Sequence, residues 1–268
     1  MKKLLVLVLS LAMVLSLSAC GNKETKKSNS DSSKKKFTVG FDAEYPPYGY
    51  MDSDTGEYTG FDLELAQAVC DMEGWELVKT PIEWASKDAE LNNGNIDCIW
   101  NGFTINGKED KYEWSDPYVN NQVVVVAKNS GITKLADLKD KYVAAQSASA
   151  ALQLLQKGGD QEKLGKTFKE IQEFPDYNTA FSELEAGTVD AVAMDVGVAK
   201  YQVNNRNNNY VILDENLNSE QYGIGFKKGN TELRDKVNAD LKKLYDEGKV
   251  DELAKKYGIE DMICLGDK

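Results

Sequence analysis

Apolar and polar positions follow two periods along this chain, and the switches between them mark its elements. Phe37-Thr38-Val39-Gly40-Phe41 alternates like a half-buried strand. Phe61, Leu65, Val69 and Met72 recur at helical spacing, and Gly74 comes next as a left-handed stop, so the pattern predicts a helix from Phe61 to Glu73. Trp75 to Thr80 alternates again, Ser86 to Asn93 reads as a helix closed by Gly94, and Ile96 to Trp100 reads as a strand. Gln122 to Lys128 contains four consecutive valines, which predicts a strand buried on both faces. Then come a strand at Tyr142 to Ala145, a helix from about Ser149, a strand near Phe168, a helix from Tyr177 to Ala186 and a strand at Ala191 to Met194. Helices from Thr231 and from Lys249 finish the chain. Strands that alternate with helices predict an α/β architecture with largely parallel sheets.

One pattern occurs twice. Leu91-Asn92-Asn93-Gly94-Asn95-Ile96-Asp97 and Leu184-Glu185-Ala186-Gly187-Thr188-Val189-Asp190 are each a helix end, a glycine and a strand entry. Leu244 to Asp251 nearly repeats the pattern at one residue longer, so the match alone says little. The residues beyond each unit are more informative. Gly102 and Asp195 lie at the same distance beyond Asp97 and Asp190, just past the carboxyl ends of their strands. Open α/β sheets bind ligands there. Two similar lobes would each present such a loop to a cleft between them.

The N-terminus changes the picture. A basic head, an apolar run from Leu4 to Leu17 and the small residues Ser18-Ala19 before Cys20 read as a secretory signal over residues 1–19. The run falls short of the ~20 residues that span a bilayer. Leu17-Ser18-Ala19-Cys20 resembles the lipobox of bacterial lipoproteins, in which the Cys becomes the lipidated mature N-terminus. After it, residues 22–36 (NKETKKSNSDSSKKK) contain no large apolar side chain and read as a solvated tether, with lysines able to lie against anionic headgroups. Of the net charge of −12, the lysines of the signal contribute +2 and the tether +4, which leaves −18 on the folded part. So acidic a body argues against nucleic acid as a partner. The chain has no His, the commonest general base and metal ligand. Cys70, Cys98 and Cys264 are far apart with no CxxC pair, which argues against a zinc site; Cys70 in a helical pattern and Cys98 in a strand pattern read as buried thiols, and the odd count allows at most one internal disulfide.

Several segments together resemble the polar amino-acid binding proteins of ABC importers, the extracellular solute-binding proteins of family 3. They are Val39-Gly40-Phe41-Asp42-Ala43-Glu44-Tyr45-Pro46-Pro47-Tyr48, Thr59 to Ala66, Asn95-Ile96-Asp97 through Gly102-Phe103-Thr104-Ile105, Trp114-Ser115-Asp116-Pro117-Tyr118, and Val189 to Asp195. Their order and spacing, over nearly all of Phe37 to Gly258, carry the likeness. The resemblance implies a two-lobed periplasmic-binding-protein-like fold of type II, with two crossing hinge strands and the ligand in the cleft. One lobe would comprise residues 37–122 plus 220–268, and the other residues 123–219. Closure by hinge motion would capture a free amino acid, its side chain polar or cationic, for delivery to the permease of an ABC importer. The protein would be a monomer without cofactor or metal, held by its lipid at the outer face of the cytoplasmic membrane.

The resemblance also implies site residues. A free amino acid presents an ammonium and a carboxylate, and each charge needs a partner once buried. Asp195 matches the family's ammonium ligand, although an Asp there could equally cap the following helix. Thr104 and the backbone of Gly102 match the carboxylate loop, and Ser149 either adds donors or only caps its helix. Tyr45 and Trp84 match aromatic walls, against alternatives as turn or core residues. Asp42 matches an acidic position that meets polar or cationic side chains, or is a solvated loop carboxylate. Relatives carry an Arg a few residues after Thr104. Here an ungapped reading puts Glu109 at that position, and a one-residue gap puts Lys108 there; Lys108 is preferred, because Glu109 would repel a carboxylate. A Lys is a point charge without the planar fork of Arg. Two other functions use the same scaffold: a dehydratase-like enzyme with Asp42, Glu44 or Asp195 as acid or base, and a sensor that presents ligand to a receptor.

Overall fold

The computed structural model describes residues 34–128, 131–206 and 209–266. The signal, Cys20 and the tether up to residue 33 lie outside the described residues. Lys36, which the sequence assigns to the tether, opens the first strand, Lys36–Phe41.

Two mixed sheets organise the molecule. The first runs in the order Glu76–Pro81, Lys36–Phe41, Cys98–Ile99, Gly225–Phe226, Glu113–Trp114. The second runs Glu170–Phe174, Tyr142–Gln146, Ala191–Asp195, Val119–Lys128, Tyr210–Ile212, with Asn218–Tyr222 also paired to Val119–Lys128. Two of the four strand pairings in the first sheet and two of the five in the second are parallel, which corrects the expectation of largely parallel sheets. Lys36–Phe41 is parallel to both its neighbours, and Tyr142–Gln146 to both of its own, but Gly225–Phe226 and Val119–Lys128 run against every neighbour they pair with. Parallel neighbours need a crossover connection, usually helical. These two strands instead arrive from the other sheet and enter in the opposite sense.

Val119–Lys128 is the longest strand, and its two ends do different work. Residues 119–123 pair with Asn218–Tyr222, and residues 123–127 pair with Ala191–Asp195. Its valines obey the both-faces prediction. Val124 and Val126 pack with Ala144 and Val192 on one face, and Val123 and Val125 with Val143 and Ala193 on the other, all buried.

The helices begin and end near where the periodicity puts them: Phe61–Glu73, Lys87–Asn93, Tyr177–Ala186, Thr231–Asp246 and Lys249–Tyr257. Gly74, Gly94 and Gly187 end the first three in the left-handed conformation. Two strands shift. Ile96 to Trp100 shortens to Cys98–Ile99, and the strand near Phe168 starts at Glu170, leaving Phe168 as a buried plug beside it. A three-stranded antiparallel sheet, Glu44–Tyr45, Gly49–Met51 and Tyr58–Thr59, gave no period because its strands are two or three residues long.

Candidate functional site

Between the two sheets lies a narrow, nearly filled pocket of about 10 Å³. Tyr45, Trp84, Gly102, Thr104 and Lys108 line it from the first-sheet side, and Ser149 and Asp195 from the second-sheet side. Phe103, Gln146 and Ala150 complete the lining. Thus seven of the eight predicted residues meet around one space. Asp42 is the exception.

Asp195 closes the strand Ala191–Asp195 and is 3% exposed. Its backbone occupies the N-cap position of the helix Val196–Asn204, but its side chain makes no capping hydrogen bond. The carboxylate instead accepts from the Tyr45 hydroxyl at 2.5 Å and from Asn121 Nδ2 at 2.6 Å. A capping role is thereby separated from the site role: the side chain is turned into the pocket. Tyr45 comes from the first-sheet side, so this contact joins the two sides directly. Burial and the adjoining Asp195 charge push the Tyr45 hydroxyl well above its usual range, so it remains a donor.

The loop after Thr104 places Lys108 and Glu109 in different surroundings. The Lys108 amide donates to the Ile105 carbonyl at 2.9 Å, with Gly107 left-handed at φ 75° inside the turn. The Lys108 carbonyl accepts from the Trp114 indole at 3.0 Å. This turn buries Lys108 and leaves Glu109 exposed, accepting from the Gly107 amide. Lys108 Nζ has a 3.4 Å contact with the Thr104 carbonyl and no ion pair among the described residues. Desolvation lowers its pKa below the ordinary lysine value, partly countered by Glu220 and Asp195.

Gly102 is required sterically. Its φ is +55°, and a Cβ there would stand 2.9 Å from Tyr45 Cε1 and 3.0 Å from Tyr222 Cε2. Its amide donates to the buried Asp62 at 2.7 Å, so that N–H is engaged on the far side of the loop. Thr104 is buried and its hydroxyl donates to Glu220 at 2.9 Å. Ser149 caps the helix Ala150–Leu155, accepting from the Leu152 amide at 3.1 Å. That helix has six residues, so what Ser149 offers the pocket is its hydroxyl and not a long dipole. Trp84 is partly exposed and stands edge-on to Phe103 at 5.4 Å between ring centroids.

Asp42 lies outside this lining. It borders an adjoining recess with Glu44, Glu83, Trp84 and Asp176, and reaches the pocket through Gln146, whose Nε2 donates to it at 2.5 Å. It is 6% exposed, and burial pushes its carboxyl up to about 6, opposed by the Glu44 amide and Gln146.

Four contributors had no signal in the sequence: Asn121, Gln146, Glu220 and Tyr222. Asn121 and Glu220 sit in polar runs, Asn120-Asn121-Gln122 and Ser219-Glu220-Gln221, that look solvated one at a time. Their register, Glu220 opposite Asn121, turns both inward. Cys70 and Cys98 are buried free thiols and Cys264 is buried as well. Among the described residues no group of His, Cys, Asp or Glu could hold a metal ion, and no helix is long and apolar enough to cross a membrane.

The family described as "Bacterial extracellular solute-binding proteins, family 3" matches residues 37–260. The arginine-binding extracellular protein ArtP of Bacillus subtilis (strain 168) is 32% identical over 266 residues, covering 96% of this chain and 98% of ArtP. The L-cystine-binding protein TcyA of the same organism is 30% identical over 275 residues, covering 98% of this chain and 99% of TcyA. A crystal structure of an ABC uptake transporter substrate-binding protein from Streptococcus pneumoniae with bound histidine superposes with a TM-score of 0.80 at 32% identity, over 85% of this chain and 94% of that one.

Proposed function

We infer, because this chain belongs to the bacterial extracellular solute-binding proteins of family 3, that it captures a free amino acid outside the cytoplasmic membrane and delivers it to an ABC importer. One observation carries this. A buried carboxylate, Asp195, and a buried lysine without an ion pair, Lys108, face one pocket from opposite sides. An α-amino acid carries the complementary pair of charges on one carbon. Asp195 takes the ammonium, while Lys108, Thr104 and the Ser149 hydroxyl take the carboxylate. Tyr45 and Trp84 flank the side chain, and Gly102 lets the ligand approach the backbone. Asp42, through Gln146, sets a preference for polar or cationic side chains. ArtP, TcyA and the Streptococcus pneumoniae protein bind arginine, cystine and histidine, which fits a site with a further carboxyl at its side-chain end.

We assign residues 37–122 with 220–268 to one lobe and 123–219 to the other. The register Ser219 opposite Gln122 supports this, since it puts both switch points side by side on the crossing strands. The protein works as a monomeric binding protein and not as an enzyme, anchored by a lipid on Cys20 with residues 1–19 removed.

The test is a thermal-shift and calorimetric panel of L-arginine, L-histidine, L-glutamine and L-cystine. At least one should raise the melting temperature, because a ligand that binds only the folded state stabilises it by mass action. Asp195→Asn should keep the fold and lose the shift. Affinity within a few-fold of wild type in that variant would refute the assignment.

A further inference from the structure

We propose that Glu220, beside this pocket, is an uncharged carboxylic acid, and that its proton is linked to amino-acid binding. The inference rests on the reading of the pocket as an amino-acid site and adds a positioning residue to it.

Glu220 is 4% exposed on the strand Asn218–Tyr222, opposite Asn121. A single side-chain nitrogen, Asn121 Nδ2, donates to Asp195 at 2.6 Å and to Glu220 at 2.9 Å. Two carboxyl groups from different strands therefore converge on one amide. Thr104 donates to the same Glu220 oxygen at 2.9 Å, so Glu220 also holds the carboxylate loop in place.

The groups that face Glu220 are Asp195, Lys108, the hydroxyls of Tyr48, Tyr177 and Tyr222, and, across a wider recess it also borders, the exposed Lys200 and Asp261. Lys108 is the single buried cation among them. An α-amino acid brings one positive and one negative charge, which Asp195 and Lys108 answer. A carboxylate at Glu220 would leave one buried negative charge without a partner, and desolvation disfavours that. The hydrogen bonds leave room for the proton, because Thr104 and Asn121 both donate to one oxygen, Oε1, and Oε2 can carry it. Burial, then repulsion from Asp195, pushes Glu220 up to about 8, so the proton is kept at neutral pH.

Glu220→Gln copies the neutral acid in shape and can keep the contacts from Thr104 and Asn121. Calorimetry with L-arginine and L-glutamine as probes should give wild-type affinity in Glu220→Gln at pH 6. Above pH 8 the wild type should weaken by about tenfold per pH unit relative to the variant, as one linked proton requires. A loss of equal size in both proteins would belong to Lys108 or to the ligand's own ammonium and would overturn the proposal. So would weak binding by Glu220→Gln at pH 6.

A ligand-free measurement decides the proton separately. The folded-state value lies above the ordinary 4.5, so the stability from this group is complete below pH 4.5 and is lost as pH rises to about 8. The melting temperature of Glu220→Gln should gain on wild type from pH 5 to pH 8 and level off above. A constant gap, or a variant unfolded at pH 6, would overturn the proposal. Failure of both probes at every pH would instead count against the amino-acid reading, and the melting curves would still decide the proton.

Discussion

Three residues show how much of a site one charge can decide. Asp195 lies at an N-cap position, where short polar side chains ordinarily satisfy helix amides, yet its carboxylate is held away from the helix by Tyr45 and Asn121. Asp42 keeps its place between sheets through Gln146. Lys108 is the residue at which this chain departs from the family it resembles, and it makes the sharpest case. If it pairs with the ligand carboxylate, Lys108→Ala leaves that carboxylate buried without a cation. Breaking a buried pair in this way costs roughly 3–5 kcal/mol, or on the order of 100-fold or more in affinity. Lys108→Arg keeps the charge and offers a fork that grips both oxygens, so it should retain binding where Ala abolishes it. If the short turn of Ile105 to Lys108 holds the backbone too far back for Arg, the Arg variant weakens while Ala still loses binding. Titration of both variants with the best ligand of the panel checks this, and wild-type affinity in Lys108→Ala would remove Lys108 from the site.

At the scale of elements, the loops at the ends of strands matter more than the strands. Gly102 and Gly94 are both left-handed glycines, but only Gly102 has neighbours where a side chain would stand. Gly102→Ala should combine backbone strain of roughly 1–2 kcal/mol with overpacking of typically ~1–3 kcal/mol against Tyr45 and Tyr222. Gly94→Ala carries the strain alone. The measurable outcome is a lower melting temperature in both and a loss of ligand affinity only in Gly102→Ala; equal effects on affinity would show that Gly102 does not shape the pocket. This contrast also marks what the sequence could tell. Helices with glycine stops and the valine run were legible, because their signal is local and periodic. So was the pairing of Gly102 with Asp195, because each comes after a repeated helix–glycine–strand unit. The parallel content was overestimated, since strand direction depends on where a chain enters a sheet and leaves no local trace. Asn121, Gln146, Glu220 and Tyr222 were invisible for a related reason: cross-strand register and the meeting of two sheets bury them.

For the whole molecule, the proposed lipid attachment and the proposed capture of ligand fall on separate stretches of chain. The first strand of the described fold is Lys36–Phe41, whose first residue pairs with Glu76, and the Lys35 carbonyl just before it accepts from the Glu76 amide at 2.9 Å. The lipobox-like Leu17-Ser18-Ala19-Cys20 lies sixteen residues upstream of that strand by direct count. A single acyl chain gives only marginal membrane binding, so stable attachment takes more than one chain or an added basic segment. In the proposed anchor the lysines between Cys20 and the first strand would supply the basic segment, while the body at −18 would be repelled by an anionic surface. Cys20→Ser should therefore release the protein to the medium, or leave it uncleaved, with amino-acid affinity unchanged. Fractionation of cells and calorimetry on the released protein check the two halves independently. Membrane attachment that survives the substitution would exclude Cys20 as the anchor, whatever the pocket binds.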